Sequence, residues 1–391
     1  MKILQIIDFF YPAWGRGGPP RSVYELSKEL VKKGHEVTVY TTDIYKKNQR
    51  MNNIKNPILL DGINVYYFKN ISNKLAWSNY SFSIDLMFAM NNNISSFDIV
   101  HAHLFRSMHA VALHHFAQRK KIPYILQPRG SAPRWTKSQI KYIFDAVFGN
   151  HILNDARKII VSSEIESTQY YDLFPFLNKK VFSYMPNGID LSVYNKLPPK
   201  GNLKNKYNIK SNEKIILYLG LIDKRKNIGL LIQAFSKIVS EFSDIKLVIV
   251  GPDYGHLDYL IKLSDTLEVK DNVIFTGPLY DEDKLQAYVD ADIFVLPSKY
   301  ESFGNVVIEA CACGTPTIVS NGCGASEWLN TIITTNPTRL GLYRALKKLL
   351  LLSDNEREML GFKSQTEIKK LSIRNVTKDA ENIYYNMLRD I

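Results

Sequence analysis

Residues 293–319 restrict the fold more than any other part of this sequence. Residues 293–296 read as an apolar strand, residues 302–305 as a turn that starts a helix, and residues 316–319 as the next strand. The loop between the first strand and the helix therefore lies at the carboxyl end of a strand. Open α/β sheets bind ligands at that edge, and the N–H groups at the start of a helix suit a phosphate.

Glu309 is the one charged side chain in this otherwise apolar helix. A helix that is apolar on all sides is buried, and a buried carboxylate needs a partner because isolated burial is costly. Two interpretations stay open. Glu309 either forms an ion pair with a nearby Lys or Arg inside the protein, or faces a cleft and accepts hydrogen bonds from the hydroxyl groups of a ligand.

The wider segment resembles glycosyltransferase family 4, a family of retaining transferases with the GT-B fold. The hallmark is two glutamates separated by seven residues within a longer pattern, and the matching residues are Pro297, Ser298, Glu301, Phe303, Gly304, Glu309, Ala310, Gly314, Thr315 and Pro316. The resemblance implies that Glu301 contacts hydroxyls of the donor sugar and that Glu309 contacts the ribose of the nucleotide. It also implies that the diphosphate or sugar meets backbone N–H groups of Phe303, Gly304, Asn305 and Val306.

A basic loop after the predicted strand 215–220 extends the resemblance. In the family an Arg and a Lys of this loop bind the donor diphosphate. Gly220 and Lys226 match the family pattern, whereas Leu221 stands at the position of the Arg. The spacing permits Arg225 to replace the missing charge. The resemblance implies that Lys226 acts in catalysis together with Glu301.

The N-terminal half carries further matches. Gly17 and Gly18 follow the first predicted strand, where the family has a loop over the donor diphosphate; a simple tight turn is the alternative. Pro20 occupies the last position of the nicotinamide-binding fingerprint, which counts against that cofactor. His103 ends a predicted strand, and Arg129 stands where many family members have a His that touches the donor sugar. Both are candidates for a cleft, where Arg129 can bind a phosphate or an anionic acceptor, or simply cap its loop.

The length of 391 residues predicts two domains. We expect the α/β architecture of GT-B, with two Rossmann-like domains whose parallel sheets face each other across a cleft. Residues 1–190 would form an acceptor-binding domain, residues 191–212 a polar linker, and residues 213–372 a nucleotide-sugar-binding domain. A helix over about 373–391 would return to the first domain.

The formal net charge of +12 is unevenly distributed. Residues 1–190 contain 24 Lys and Arg against 14 Asp and Glu, so most of the excess lies in this half. Basic residues mix with aromatic ones there, as Arg134 and Lys137 do around Trp135. An anionic membrane surface or a phosphorylated acceptor suits such a surface. We expect no nucleic-acid partner, because no recognised nucleic-acid-binding motif is present.

The cysteines and the hydropathy pattern indicate a compartment. The sequence has an odd number of cysteines, Cys311, Cys313 and Cys323, and the first two face apart on a helix. We therefore expect all three to be core residues without disulfides, in a protein of the reducing cytoplasm. No run of about 18 apolar residues predicts a spanning helix. Any attachment to the inner face of the membrane would therefore be peripheral.

A metal or other cofactor is not expected beyond the nucleotide-sugar co-substrate. The triplet Asp290-Ala291-Asp292 has the spacing of a metal-binding D-x-D motif, but it reads as the end of a helix that leads into a core strand. Cations of the protein and helix N–H groups would stabilise the departing diphosphate instead.

The sequence thus predicts a retaining glycosyltransferase. It would move a hexosyl group from a nucleotide-diphosphate sugar to a glycan or lipid-linked acceptor in polysaccharide or glycoconjugate biosynthesis. One alternative is another GT-B enzyme, such as a sugar-nucleotide epimerase. The departures at Leu221 and Arg129 motivate the other alternative, a non-catalytic subunit that binds a sugar nucleotide.

Overall fold

A computed structural model describes residues 1–46, 49–52, 54–77, 80–134 and 138–389. The chain divides into two compact units. The first consists of Met1–Ile189 with Ile373–Ile391, and the second of Asp190–Ser372. Among the described residues, no helix is long and apolar enough to cross a membrane.

The first unit contains an eight-stranded sheet and a short hairpin. Its strands are β1 (Lys2–Ile6), β2 (Glu36–Thr42), β3 (Ile44–Lys46), β4 (Gln49–Arg50), β5 (Ile58–Leu60), β6 (Ile63–Phe68), β7 (Ile99–Ala102), β8 (Ile125–Leu126), β9 (Lys158–Val161) and β10 (Phe182–Tyr184). The order in the sheet is β10-β9-β8-β7-β1-β2-β6-β5, while β3 and β4 form the hairpin. All neighbours in the sheet are parallel except β5 and β6.

Helices cover both faces of this sheet, as a parallel sheet requires. They are α1 (Gly18–Lys32), α2 (Asn73–Trp77), α3 (Ile84–Asn93), α4 (Met108–Lys120), α5 (Ser138–Phe144), α6 (Asn150–Asn154) and α7 (Glu164–Leu173), with a π-helical turn at Asp145–Gly149 between α5 and α6. Helix α1 begins with Pro19 and Pro20 in its first turn, where the missing N–H of proline costs nothing.

The second unit is a six-stranded, all-parallel sheet. Its strands are β11 (Lys214–Leu219), β12 (Ile245–Val250), β13 (Val273–Gly277), β14 (Ile293–Leu296), β15 (Thr317–Ser320) and β16 (Ile333–Thr335), in the order β13-β12-β11-β14-β15-β16. The central strands are rich in Val, Ile and Leu and buried on both faces. Its helices are α8 (Asn202–Lys206), α9 (Ile228–Val239), α10 (Leu257–Thr266), α11 (Asp281–Asp290), α12 (Asn305–Ala312), α13 (Arg339–Leu350) and α14 (Asp354–Glu367).

The last helix, α15 (Ile373–Arg389), belongs to the first unit. Tyr384 and Met387 of this helix are fully buried in the same hydrophobic cluster as strand residues of the first sheet. On its outer side Glu381 bonds to Lys33 at 2.6 Å and to His35 at 2.9 Å. The end of the chain therefore completes the core of the first unit.

Segment 191–212, which the sequence suggests as a linker, lies within the second unit. Helix α8 forms part of it, and Asp290 accepts the backbone N–H groups of Gly201 at 2.6 Å and Leu203 at 2.7 Å. Asp292 accepts the N–H of Ile215 at 2.8 Å. Both aspartates of the D-x-D triplet thus bond to the backbone of the unit.

Each sheet has one point at which the strand order reverses direction. In the first sheet β1 lies between β2 and β7, and in the second sheet β11 lies between β12 and β14. At such a point the loops after two neighbouring strands, β1 and β7 in the first sheet or β11 and β14 in the second, run to opposite faces of their own sheet. They leave a crevice, where open α/β sheets bind ligands.

Candidate functional site

The loops after β11 and β14 bring Lys226 and Glu301 together at the switch point of the second sheet. The ammonium group of Lys226 forms an ion pair with the carboxylate of Glu301, and each side chain is 20% exposed. Lys226 ends a short 3-10 turn, and Asn227, in the left-handed region with φ 53°, starts α9. The two residues that the sequence nominated for catalysis are therefore in direct contact.

Backbone hydrogen bonds hold the Glu301 loop against the segment after β15. The N–H of Glu301 donates to the carbonyl of Gly322 at 2.9 Å, and the carbonyl of Glu301 accepts from Gly324 at 2.9 Å. The carbonyl of Phe303 accepts from Ala325 at 2.9 Å. This pinning fixes the entry into α12, so the glutamate is presented by a rigid loop.

The sequence around the start of α12 explains its sharp turn. Phe303 is buried, and its ring anchors the loop in the core. Gly304 has φ 94°, and a Cβ there would lie 3.1 Å from the Cys323 sulfur and 3.2 Å from Cγ of Glu301. Asn305 and Val306 form the first turn of α12, where backbone N–H groups lack acceptors within the helix.

Glu309 is buried on α12 and has partners inside the protein. Its Oε2 forms an ion pair with Nζ of Lys284 at 2.6 Å and accepts a hydrogen bond from the hydroxyl of Tyr288 at 2.8 Å. Burial raises the pKa of Tyr288 well above its usual value, so this hydroxyl stays protonated. The internal ion pair considered from the sequence is thus present.

Lys284 and Tyr288 are site neighbours that motif reasoning missed. Both lie on α11, 25 and 21 residues before Glu309. The burial argument for Glu309 required a basic partner, but the sequence offered no means of choosing among many lysines.

Arg225 lies beside Lys226 but is already paired. Its guanidinium donates to Asp223 at 2.8 and 3.1 Å, and its side chain is 57% exposed. The suggested replacement for the missing family Arg is therefore neutralised by its own neighbour in the structure.

In the first unit, the Gly pair lies between β1 and α1. Gly17 has φ 91°, a conformation that favours glycine, and a Cβ there would meet only Pro19 at 4.0 Å. Gly18 is the first residue of α1. There is therefore room for a ligand beside Gly17, although the N–H of Gly17 itself donates to the carbonyl of Trp14 at 3.3 Å.

His103 and Arg129 belong to one buried network at the carboxyl edge of the first sheet. Nε of Arg129 donates to Nδ1 of His103 at 3.2 Å, while Nε2 of His103 lies 2.5 Å from Oε1 of Gln5. The other guanidinium nitrogens donate to Asn187 at 3.0 Å and Gln127 at 2.9 Å. These hydrogen-bond acceptors are all uncharged. Burial lowers the pKa of Arg129 to about 10, while the nearby charge of Glu166 acts in the opposite direction.

The same network reaches α15 through His101. Its Nδ1 lies 2.7 Å from the hydroxyl of Tyr384, and its ring lies 4.0 Å from that of His103, centroid to centroid. Burial lowers the pKa of both imidazoles well below the usual value, and the neighbouring charge of Arg129 acts in the same direction. Because alternate residues of a strand point to the same face, the sequence predicts that residues 101 and 103 share a face, and the two rings do so.

Two family models together match most of the chain. The model described as Glycosyltransferase Family 4 matches residues 16–193, and the one described as Glycosyl transferases group 1 matches residues 199–369. The chain belongs to glycosyltransferase family 4. The resemblance inferred from the two glutamates is confirmed, and the chain is a glycosyltransferase.

Curated relatives of this family-4 glycosyltransferase align over most of their length. Alpha-monoglucosyldiacylglycerol synthase of Streptococcus pneumoniae is 26% identical over 348 residues, which cover 85% of this chain and 73% of the relative. N-acetyl-alpha-D-glucosaminyl L-malate synthase of Bacillus anthracis is 26% identical over 403 residues, covering 97% and 96%.

A solved structure confirms the fold of this family-4 glycosyltransferase. The crystal structure of Anabaena HepE in complex with UDP and glucose superposes with a TM-score of 0.76 over 99% of this chain and 100% of that one, at 16% identity. The predicted GT-B architecture, with two Rossmann-like parallel-sheet domains, is therefore confirmed.

Proposed function

We propose that this enzyme transfers a hexosyl group from a nucleotide-diphosphate sugar to a glycan or lipid-linked acceptor, with retention at the anomeric carbon. The observation that carries the proposal is the contact between Lys226 and Glu301 at the switch point of the second sheet. The start of α12 and the buried Glu309 lie on the same strand–loop–helix unit.

Each donor-site residue has a chemical role in this proposal. Lys226 neutralises the charge that develops on the departing diphosphate, and the first-turn N–H groups of α12 assist it. Glu301 accepts hydrogen bonds from sugar hydroxyls, and Glu309 accepts them from the ribose. Gly17 and Gly18 leave room for a phosphate beside the backbone of the first unit. The transfer needs no resident metal in this scheme.

The acceptor is assigned to the first unit. His103 and Arg129 line the carboxyl edge of its sheet. Among the described residues, the guanidinium of Arg129 donates to uncharged acceptors and has the carboxylate of Glu166 nearby without a hydrogen bond to it. Such a group suits an anionic part of an acceptor.

A donor screen with product analysis tests the reaction. UDP-, GDP- and ADP-glucose are offered with candidate lipid-linked acceptors, and the anomeric configuration of the product is read by NMR. We expect one donor to be consumed only when an acceptor is present, with retained configuration. Conversion of the sugar nucleotide without an acceptor would favour an epimerase, and tight binding without transfer or hydrolysis would favour a binding subunit.

We further propose that the acceptor is reached at an anionic membrane surface on the cytoplasmic side. Helix α5 has no buried residue, and large apolar side chains of α5 and the following turn are more than half exposed: Ile140, Tyr142, Ile143 and Val147. An apolar patch of this kind marks an interaction site. The pneumococcal relative is named as the synthase of a glucosyl diacylglycerol, a lipid.

Basic groups accompany this α5 patch. Arg106 and Arg134 both bond to Asp145, so two guanidinium groups share one carboxylate and one positive charge remains. Arg134 also lies 5.4 Å from the ring of Tyr142 in the patch. Trp135 and Lys137, which the sequence nominated, lie outside the described residues. Each basic group near an anionic leaflet contributes about 1 kcal/mol, so a few suffice for reversible attachment.

Vesicle sedimentation tests the membrane proposal. We expect binding at low salt to vesicles of phosphatidylglycerol and phosphatidylcholine, little binding to phosphatidylcholine alone, and release at high salt. The double variant Ile140→Ser/Ile143→Ser should weaken binding. Met359→Ser/Phe362→Ser, at 60% and 70% exposure on α14, is the matched control. Equal binding to both vesicle types, or to neither, would refute membrane attachment.

A further inference from the structure

Lys284 and Tyr288 lie one turn apart on α11, and both contact the same oxygen of Glu309, Lys284 as an ion pair and Tyr288 as a hydrogen-bond donor. The distances to Oε2 are 2.6 Å from Nζ of Lys284 and 2.8 Å from the hydroxyl of Tyr288. We propose that these two are positioning residues, which hold Glu309 so that its Oε1 is presented to the ribose hydroxyls of the nucleotide. This inference rests on the proposed function.

The geometry leaves one half of the carboxylate for a ligand. A carboxylate offers about four lone-pair sites on two oxygens. The ion pair from Lys284 and the hydrogen bond from Tyr288 both use Oε2, and no described residue donates a hydrogen bond to Oε1. The Glu309 side chain is 11% exposed, so it is accessible over a small area while the rest is fixed.

Tyr288 is itself held firmly. Its side chain is fully buried, its ring packs on Phe294 with centroids 5.7 Å apart, and its backbone carbonyl accepts from the hydroxyl of Thr315 at 2.7 Å. A hydrogen bond from such a fixed hydroxyl restricts the rotation of the carboxylate. Lys284, whose side chain is 21% exposed, adds the charge that compensates burial of Glu309.

A purely structural ion pair would have a different signature. If Lys284 and Tyr288 only neutralised a buried charge, their loss would lower stability and affect all nucleotides alike. If they orient Oε1, their loss must weaken the recognition of ribose hydroxyls in particular. The decisive quantity is therefore the ratio of Kd for a 2′,3′-dideoxynucleotide to Kd for the ordinary nucleotide.

Calorimetry with UDP and 2′,3′-dideoxy-UDP measures this ratio, and the GDP and ADP pairs are run in parallel. For the base that binds, we expect the wild type to prefer the ordinary nucleotide by roughly tenfold or more, as for a hydrogen bond to a charged group. Tyr288→Phe and Lys284→Met should reduce the preference at least threefold, while Lys284→Arg should keep most of it.

Controls come from the same unit. Tyr280→Phe removes an exposed hydroxyl at the start of α11, and Lys270→Met removes an exposed ion pair to Asp265 at 3.2 Å. Neither should change the ratio. Because Tyr288→Phe keeps the ring and Lys284 is a partly exposed residue, both test variants are expected to fold, which circular dichroism verifies.

Two results would overturn the proposal in distinguishable ways. If Glu309→Gln abolishes the preference but Tyr288→Phe and Lys284→Met keep the wild-type ratio, the positioning role is wrong and the donor site stands. If the wild type shows no preference, or binds none of the three nucleotides, the ribose-binding role of Glu309 fails and the positioning role fails with it.

Discussion

The buried pair His101 and His103 should make the protein markedly less stable in mild acid. Arg129 donates to Nδ1 of His103, so this nitrogen is an acceptor and the proton resides on Nε2, which faces Oε1 of Gln5. A protonated ring would direct an N–H at the guanidinium. With ring centroids 4.0 Å apart, two imidazolium ions would also repel each other by about 4 kcal/mol at an effective dielectric constant of about 20.

The sign follows from proton binding. Burial holds the pKa of both rings well below 6.5 in the folded protein, so below pH 6.5 the unfolded chain binds protons that the folded one does not. The free energy of unfolding therefore falls as the pH falls. For a ring that stays neutral in the fold down to pH 5, the loss between pH 7 and pH 5 is about 2 kcal/mol, or about 4 kcal/mol for the pair.

Urea unfolding at pH 7 and pH 5 measures this loss. Other groups contribute to the pH dependence too, so the comparison is between the wild type and His101→Gln/His103→Gln, in which this part is absent. The difference in unfolding free energy between the two pH values should shrink by about 4 kcal/mol in the variant. His115→Gln, which removes an exposed imidazole, is the control. If the double variant kept the wild-type difference, the two rings would not be held neutral and the reasoning would be refuted.

Four further predictions concern the second unit. Lys226→Ala and Glu309→Gln should each lower kcat/KM by roughly 100-fold while the protein remains folded, which is about 3 kcal/mol of lost transition-state stabilisation. Near wild-type kinetics in both variants would refute the donor-site assignment. Glu301→Gln should tighten UDP binding, because Lys226 loses its internal partner, and it should also slow turnover. Calorimetry measures the first effect and rate assays the second. Weaker UDP binding would contradict the reasoning. Turnover should survive EDTA; loss of activity that Mg²⁺ or Mn²⁺ restores would show that the scheme lacks a metal. Burial alone would raise the pKa of Glu367, but hydrogen bonds from residues 330–331 and from Lys370 hold that pKa at about 2. Glu367→Gln should therefore cost roughly 1–2 kcal/mol of stability near neutral pH, allowing for solvent screening. This cost should vanish as the pH falls from about 4.5 towards 2, and denaturant curves that show the same cost at pH 2.5 would contradict the reasoning.

The sequence predicted those parts of the fold that local pattern determines. The residues at 63–68 predict a strand, and β6 covers the same range and alternates in burial along its whole length. The apolar run at residues 3–11 predicts the first strand, but β1 ends at Ile6. Ile7 and Phe10 lie in the following loop and are nevertheless buried. An apolar residue indicates burial, which does not require an extended backbone.

The sequence identifies most residues of the proposed donor site, but it does not show which of them contact each other. The spacing of Glu301 and Glu309 named both carboxylates, whereas their partners Lys226 and Lys284 lie on other loops and helices and come near only through the parallel sheet. Arg225 shows the converse. Its position beside Lys226 suggested a free cation, but Asp223, two residues earlier, accepts its guanidinium. Such local pairing depends on side-chain orientation, which sequence spacing does not determine.

These contacts bear on how a diphosphate can bind. Arg225, Lys226 and Lys284 each have a carboxylate partner. A diphosphate brings at least two negative charges, so in the proposed reaction at least one of these pairs must exchange partners. The pair of Lys284 and Glu309 is not expected to exchange, because the buried Tyr288 holds the same oxygen of Glu309 in place. The pair of Lys226 and Glu301 is expected to exchange, because Lys226 lies in a loop and both side chains are one-fifth exposed. When Lys226 turns to the diphosphate, the Glu301 carboxylate is released to accept hydroxyls of the sugar. One exchange would then prepare both groups, so that Glu301 is free for the sugar only when the diphosphate is in place.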